Sequence, residues 1–398
     1  TTFRAFQYRN FRLMWGGAFT STTGTWLQEV AQSWLVYSLT GSTVWLGVTA
    51  FLAGAPILLF SLIGGVIADR MDRRKLLIFS QYTQMTSAFI LALLVYTGKV
   101  KIWHILALTF VNGLAQSFGG PAYQALIPSL VAPEALPNAI ALMTIQFNLA
   151  RVVGPVIAGF AINWLGMAAC FALNGVSFIA VIISLSMLHI QFIPQKTEVR
   201  MLASLREGLR FVYRHGSMQA LIVLAFCTTG LGVPLITFLP TFAKDVFHLE
   251  AQGYSTLLAC SGLGSVLGAL IVAWMGHISR KGRTALLMLV ALGFFVSAFS
   301  QSRSYRLSCV FLFFSGISLI AVFTMISSLV QLLAPEEMRG RILSVYNVAF
   351  RGGMPLGNLA TGFAAGALSP STALLANGVL LGVVGIYFLL WQPDVRRL

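Results

Sequence analysis

Apolar stretches of about 20 residues recur along the whole chain and are separated by short polar segments. A helix needs about 20 apolar residues to cross the hydrocarbon core of a bilayer. The pattern predicts an all-α membrane protein with twelve transmembrane helices, at residues 13–39, 43–68, 76–97, 102–129, 138–163, 167–192, 218–240, 254–276, 284–301, 307–332, 342–366 and 372–391. The first stretch is long and is followed by many more, so we expect no cleavable signal peptide.

The longest polar segment, residues 191–217, divides six predicted helices from six. Its length suits an amphipathic helix on the cytoplasmic surface. We therefore predict a six-helix bundle in residues 1–192, a cytoplasmic linker in residues 193–217 and a second six-helix bundle in residues 218–398. The segment APEALPNAIALMTIQFNLARVVGP in the first half parallels APEEMRGRILSVYNVAFRGGMP in the second. Such parallel repeats are typical of secondary transporters whose substrate site lies between the halves near mid-membrane.

Composition and charge support a membrane protein. Hydrophobic residues make up 57% of the chain and charged residues only 9%, which excludes a soluble domain. With the N-terminus inside, 19 of the 26 lysines and arginines fall on the cytoplasmic side and five on the outer side. This positive-inside bias predicts that both termini are cytoplasmic. It also accounts for the net charge of +15 without nucleic acid as a partner, and membrane lipids are the expected partner of the basic surface.

Two arginines lie deep inside apolar stretches. Arg151 and Arg351 are 200 residues apart, and each precedes a proline by four residues, Pro155 and Pro355. Because a guanidinium is costly in hydrocarbon, an intramembrane arginine usually faces a partner or a watery cavity. The pair predicts a polar centre in a duplicated membrane protein.

Polar and aromatic residues at helical spacing accompany these arginines. They are expected to line a central cavity and to bind substrate: Trp26, Gln28, Asn112, Gln116, Thr144, Phe147, Asn148, Arg151, Asn347 and Arg351. The alternative for the amides and hydroxyls is hydrogen bonding between helices that only stabilises the bundle.

Glu29 is the acid that we place within a predicted helix away from its ends. A carboxylate near an arginine can bind and release a proton as its access to water changes. We therefore predict that Glu29 couples transport to protons, with Arg151 or Arg351 as its counter-charge. The alternative is a permanent structural salt bridge. Two central cations and one acid favour an anionic or amphipathic substrate.

The segment GGVIADRMDRRK resembles the loop motif of the major facilitator superfamily, Gly-x-x-x-Asp-Arg-x-x-Arg-Arg/Lys, between helices 2 and 3. Asp72 stands where that family often has glycine. The resemblance implies a gate that holds one conformation shut, whereas the alternative is a solvated loop that only sets topology. The matching residues, and so the gate residues, are Gly65, Asp69, Arg70, Arg73 and Arg74.

A second segment, RVVGPVIAGF, resembles the helix-5 motif of exporters in the same superfamily, with Gly154, Pro155 and Gly159 matching. Nearly the whole chain resembles the bacterial branch that contains the enterobactin exporter and related secretion and efflux proteins. The resemblance implies a monomeric inner-membrane antiporter that exports a siderophore-like or drug-like molecule by alternating access, in exchange for protons. It implies no enzyme activity, cofactor or metal. Import, or transport of a lipid or lysolipid, is the alternative.

A polytopic membrane enzyme is the rival from another class. It would need clustered catalytic groups at one membrane face, but the five histidines are scattered over both faces. No phosphate-binding GxxxxGK[ST] loop occurs, so the chain is not expected to use ATP. The four cysteines, Cys170, Cys227, Cys260 and Cys309, have no metal-ligand spacing and are predicted to be small core residues.

Overall fold

The computed structural model describes residues 3–188, 201–274 and 280–397. The side chains at positions 62, 66, 69, 201–204 and 397 are not described within these ranges. Part of the predicted linker, residues 193–200, and the side chain of Asp69 therefore lie outside the described residues. Within the described ranges the regular structure is helical and contains no strand, which confirms the predicted all-α class.

Six long helices precede the linker: α1 (Arg9–Thr40), α2 (Thr43–Arg70), α3 (Arg73–Tyr96), α4 (Ile102–Leu126), α5 (Leu136–Leu165) and α6 (Met167–Ser186). The linker contains the predicted amphipathic helix as α7 (Met201–Arg214). Glu207 of α7 forms an ion pair of 2.5 Å with Arg341, and a Cβ at Gly208 would lie 2.7 Å from the Arg341 carbonyl oxygen. This helix is therefore packed against the chain and is not a free connector.

The next helical segment is interrupted. It consists of α8 (Gly216–Cys227), a π-helical turn at Thr228–Gly232, α9 (Pro234–Thr237), α10 (Leu239–Thr241) and a second π-helical turn at Phe242–Val246. The remaining helices are α11 (Ala251–Trp274), α12 (Lys281–Gln301), α13 (Tyr305–Leu333), α14 (Arg339–Ala367), α15 (Pro370–Trp391) and the short α16 (Pro393–Arg397).

Nine helical segments among the described residues are long and apolar enough to cross a membrane. Three further long helices, α1, α4 and α14, fall outside that set. They carry many of the predicted cavity residues, including Gln28, Gln116 and Asn347, and these polar side chains lower their hydropathy. The count of twelve membrane-spanning helices stays a prediction.

The chain groups into two compact units. The first comprises Thr1–Gly41, Ala55–Glu198 and Ala251–Ser255, and the second comprises Ser42–Gly54, Val199–Glu250 and Thr256–Leu398. In the first unit α3 packs against α4 and α6, and α1 packs against α5. In the second unit α12 packs against α13 and α15, and α14 packs against α8 and its π-helical turn. The same order of pairing within each unit supports an internal duplication.

Candidate functional site

Arg151 lies in an aromatic and acidic cluster in the first unit. Its guanidinium carbon is 5.6 Å from the centroid of the Trp26 ring, and that ring meets Phe147 edge-on at 6.1 Å between centroids. A guanidinium over an indole face at this distance is attracted by the negative potential of the ring. We call Trp26, Glu29, Phe147 and Arg151 the Arg151 cluster. Sequence reasoning selected all four residues.

The helix-5 glycine brings the two helices of the cluster together. A Cβ at Gly154 would lie 2.5 Å from the Cβ of Trp26 and 2.8 Å from the carbonyl oxygen of Thr23. Phe147, Arg151 and Gly154 follow one another at spacings of four and three residues, so they share one face of α5. Gly154 therefore lets α1 approach until the Trp26 ring reaches Arg151.

Pro155 and Gly159, the other two residues of the helix-5 motif, also lie at packed positions of α5. Pro155 lies inside α5 and is buried. A Cβ at Gly159 would lie 3.1 Å from the Cβ of Ser255 at the start of α11. Small residues at such positions permit close helix packing, as the sequence analysis expected of Gly154 and Gly159.

Glu29 interacts electrostatically with Arg151. The Glu29 side chain is exposed. Within the described part of the chain, the Arg151 nitrogens and Glu29 oxygens do not come within the 4.0 Å of a direct ion pair. The pair is thus separated in this conformation and is not a closed salt bridge.

Tyr254 belongs to the same surroundings and was not selected from the sequence. It interacts electrostatically with Glu29, its hydroxyl hydrogen-bonds with the side chain of Ser33, and its ring stacks on Trp34 at 6.1 Å. Tyr254 is buried, at 2% exposure. It comes from α11, 225 residues after Glu29 in the chain, and no local pattern connects the two positions.

Asn148 and Thr144 lie about one and two turns before Arg151 on the same face of α5. Asn148 Nδ2 donates to the carbonyl oxygen of Thr144 at 2.9 Å, and Thr144 Oγ1 donates to that of Ile140 at 3.0 Å. Thr144 is exposed and Asn148 half-buried. Among the described residues their hydrogen-bond partners lie in their own helix, so these bonds do not join α5 to a neighbour.

Gln28 faces the neighbouring helix α6. It is buried, at 8% exposure, and its Oε1 accepts a hydrogen bond of 2.7 Å from Asn174 Nδ2 of α6. On a helix, neighbouring residues point about 100° apart, so Gln28 and Glu29 cannot face the same side. In this structure Gln28 therefore holds α1 against α6, and its role in a cavity stays a prediction.

The two candidates on α4 differ from each other. Gln116 is exposed, and its Oε1 accepts a long hydrogen bond of 3.5 Å from Gln84 of α3. Asn112 is half-buried, and its Oδ1 is a buried acceptor without a hydrogen-bond partner among the described residues. Gln116 thus joins α3 to α4, and the role of Asn112 in a cavity stays a prediction.

Arg351 and Asn347 occupy α14 in the second unit, and both are exposed. Arg351 makes no hydrogen bond or ion pair with any residue that the structure describes. The glycines that follow it pack on the π-helical turn after α8: a Cβ at Gly357 would lie 2.5 Å from the Cα of Gly230. Arg351 therefore matches Arg151 in sequence position but has no aromatic partner of the Trp26 kind.

The loop between α2 and α3 ties helix ends together. Arg73 donates from Nη1 to the carbonyl oxygen of Ala125 at the end of α4, at 3.0 Å. Arg74 donates from Nη2 to that of Ser186 at the end of α6, at 2.5 Å. Both arginines thus bind backbone carbonyls at helix ends. Arg70 is exposed.

Asp72, which departs from the family motif, caps α3. Its Oδ1 accepts hydrogen bonds from the backbone N–H groups of Arg74, at 3.0 Å, and Lys75, at 3.4 Å. Aspartate is a favoured N-cap because it satisfies N–H groups that the first turn leaves unpaired. The sequence pattern could have identified this role, since the residue directly precedes the helix.

Gly64, which precedes the matching Gly65, lies in close contact with α4. A Cβ at Gly65 would meet open space, whereas a Cβ at Gly64 would collide with the backbone carbonyl of Ser117 in α4. The packing between α2 and α4 therefore depends on Gly64, and the role of Gly65 in a gate stays a prediction.

Comparisons with known proteins agree with this architecture. The sequence profile of the family described as transmembrane secretion effector matches residues 1–395. The multidrug efflux pump Tap of Mycolicibacterium fortuitum is 28% identical over 395 residues, which cover 96% of this chain and 95% of that protein. The enterobactin exporter EntS of Shigella boydii serotype 18 is 28% identical over 394 residues, covering 97% and 92%.

Solved structures share the fold. A peptide transporter POT in complex with sulfate superposes with a TM-score of 0.79 at 13% identity, covering 98% of this chain and 95% of that one. The nucleoside transporter NupG, as a point mutant, superposes with a TM-score of 0.76 at 13% identity, covering 96% and 99%. The chain therefore belongs to the transmembrane secretion effector family of the major facilitator superfamily, whose members are transporters and not enzymes.

Proposed function

We propose that this protein is a secondary active exporter of a small anionic or amphipathic molecule that works by alternating access in exchange for protons. The observation that carries the proposal is the Arg151 cluster: a cation and two aromatic rings beside an exposed carboxylate. The names of the relatives, an efflux pump and an exporter, support the direction of transport.

Proton coupling is assigned to Glu29. In the present arrangement the carboxylate is near Arg151 but not paired with it, and its side chain remains accessible. A carboxylate that moves between a cation and a less polar surrounding changes its proton occupancy, because the cation favours the ionised form. Such a group can bind a proton in one conformation and release it in the other.

Substrate binding is assigned to the cation and the rings. Trp26 and Phe147 offer apolar aromatic surface, and the Phe147 side chain is 52% exposed. Arg351, which has no partner among the described residues, can bind an anionic group. A siderophore-like or drug-like aromatic anion suits these groups. A siderophore is exported by the relative EntS and drugs by the relative Tap, according to their names.

The gate is assigned to the loop between α2 and α3. The hydrogen bonds from Arg73 and Arg74 to the carbonyl ends of α4 and α6 hold three helices at one end of the first unit. Their release would free those helix ends. The positive-inside bias places this loop and both termini in the cytoplasm of a bacterial cell, with the protein in the inner membrane. We expect a monomer.

Transport into proteoliposomes with an imposed pH gradient tests the proposal, with catecholate siderophores, drugs and lysolipids as candidate substrates. Glu29→Gln should abolish uphill transport and retain substrate binding, whereas the exposed Glu250→Gln should transport normally. Arg351→Ala should lose affinity for an anionic substrate. Unchanged proton-driven transport by Glu29→Gln would refute the coupling role, and unchanged affinity of Arg351→Ala would refute the binding role. Selective transport of lysolipids would favour the lipid alternative.

A further inference from the structure

Two cysteines that are distant in sequence meet in the second unit. The side chains of Cys260 on α11 and Cys309 on α13 interact with each other, and both thiols are free and half-buried. The sequence analysis had treated them as separate core residues, because nothing in their spacing connects them. Their contact makes them candidates for a reaction that needs two thiols.

The helix packing explains why the two sulfurs meet. Facing residues of the two helices differ by 49 positions over three successive turns: Cys260 faces Cys309, Gly264 faces Phe313 and Gly268 faces Ile317. A constant difference means that the helices run parallel in this stretch. A Cβ at Gly264 would lie 3.0 Å from the Cα of Phe313, and one at Gly268 would lie 2.9 Å from that of Ile317. The backbones are thus in close contact one turn from the cysteines.

This spacing suits a disulfide. A disulfide needs Cα atoms about 4.4–6.8 Å apart and Cβ atoms about 3.5–4.5 Å apart. The backbones of the two helices touch at Gly264, and the adjacent turn carries the facing thiols, so a disulfide can form without a large movement. Other residues on the same stripe are small, such as Ser261 and Ser265, so the helices can adjust by a small slide.

The polar surroundings differ between the two sulfurs. The hydroxyl of Tyr305 also hydrogen-bonds with Cys309 and with the side chain of Thr256. Cys309 therefore has two polar neighbours, Cys260 and the Tyr305 hydroxyl, while Tyr305 also interacts electrostatically with Cys260. Donors around a sulfur support its thiolate, which is the nucleophile in thiol–disulfide exchange. Cys309 is thus the expected attacking residue.

We propose that Cys260 and Cys309 form an oxidisable dithiol, a redox modification site that closes to an intramolecular disulfide with a disulfide-type oxidant. The Cys309 thiolate attacks one sulfur of the oxidant, forms a mixed disulfide and releases the first thiol. The Cys260 thiolate then attacks the Cys309 sulfur and releases the second thiol. The two cysteines lose two electrons and two protons, and the oxidant disulfide takes them up as two thiols. The new bond ties α11 to α13.

The test uses the full chain in detergent with 2,2′-dipyridyl disulfide as oxidant, in a background of Cys170→Ala and Cys227→Ala. The protein should release two molecules of thiopyridone, lose two hydrogens in mass and keep no pyridylthio adduct. The same background with Cys309→Ser should release one molecule and keep one adduct on Cys260. Stable adducts on both cysteines of the background protein would overturn the proposal, because they would show that the sulfurs cannot meet.

A second measurement covers the case in which the background variant does not fold. The wild-type protein is oxidised with the same reagent, its remaining thiols are blocked, and it is digested and analysed by mass spectrometry. A peptide pair linked through Cys260 and Cys309 supports the proposal. Pyridylthio adducts on both of these cysteines, without the linked pair, contradict it. Cys170 and Cys227 serve as internal controls, since each should carry an adduct or stay unreacted.

Discussion

Replacing Gly154 by alanine should separate α5 from α1 and disrupt the Arg151 cluster. The added Cβ would lie 2.5 Å from the Cβ of Trp26, about 0.9 Å less than the 3.4 Å at which ordinary contact begins. A second clash, at 2.8 Å from the carbonyl oxygen of Thr23, involves backbone that cannot rotate away. One of the two helices must therefore move by roughly 1 Å, and overpacking of this kind typically costs about 1–3 kcal/mol.

The displacement reaches the site because Arg151 lies one turn before Gly154 on the same face of α5. A movement of the helices away from each other lengthens the 5.6 Å contact between the Arg151 guanidinium and the Trp26 ring. An exposed cation–π contact contributes about 0.5–1 kcal/mol, so its loss adds to the cost of overpacking. We expect lower thermal stability together with weaker transport.

The assay compares thermal unfolding of Gly154→Ala with that of Gly16→Ala in detergent. A Cβ at Gly16, which lies on α1, would meet nothing within 4 Å. Both changes give the same gain in helix propensity, about 1 kcal/mol, so their difference isolates the clash. Gly154→Ala should be less stable than Gly16→Ala by about 1–3 kcal/mol. Equal unfolding temperatures and equal transport of the two variants would refute the reasoning.

Three further changes test the packing assignments. Gly64→Ala should lose about 1–3 kcal/mol of stability by overpacking against a backbone carbonyl, whereas Gly65→Ala should keep its unfolding temperature and affect transport alone. Asp72→Ala should lose about 1 kcal/mol in thermal unfolding because α3 loses its N-cap, and full stability of that variant would contradict the assignment. Gln28→Leu leaves the Asn174 amide without its acceptor, so thermal unfolding should show a loss of about 1–3 kcal/mol while substrate affinity stays unchanged. If Gln28→Leu instead lost substrate affinity without losing stability, Gln28 would belong to the substrate-binding site.

The helices and the Arg151 cluster were accessible to sequence reasoning because both depend on local spacing. Apolar stretches predict long helices, and the polar linker predicts the amphipathic α7. On α5, the spacing of Phe147, Arg151 and Gly154 places the aromatic ring, the cation and the close-packing glycine on one face. Trp26 and Glu29 are three residues apart on α1 and so also share a face. In these cases the pattern within one helix determines the result.

The remaining features depend on how helices are rotated and aligned against each other. Gln28 is adjacent to Glu29, and only the position of Asn174, 146 residues away, decides that Gln28 faces α6. The dithiol of Cys260 and Cys309 depends on a constant offset between α11 and α13, which no pattern within either helix reveals. Long-range register of this kind comes from packing of the whole unit, so sequence spacing alone does not predict it.

The two arginines differ because the glycines beside them face different partners. Gly154 packs against the Cβ of Trp26, and this contact places the Trp26 ring near Arg151. Gly353, two residues after Arg351, lies against the Thr229 side chain, and Gly357 lies against Gly230. A guanidinium without partners is unfavourable in a membrane protein unless water or a ligand supplies acceptors. We propose that Arg351, which makes no hydrogen bond or ion pair with any residue that the structure describes, binds the anionic group of a substrate. Arg151 instead lies over the Trp26 ring and interacts electrostatically with Glu29. The two halves thus carry an arginine at matching sequence positions in different packing surroundings.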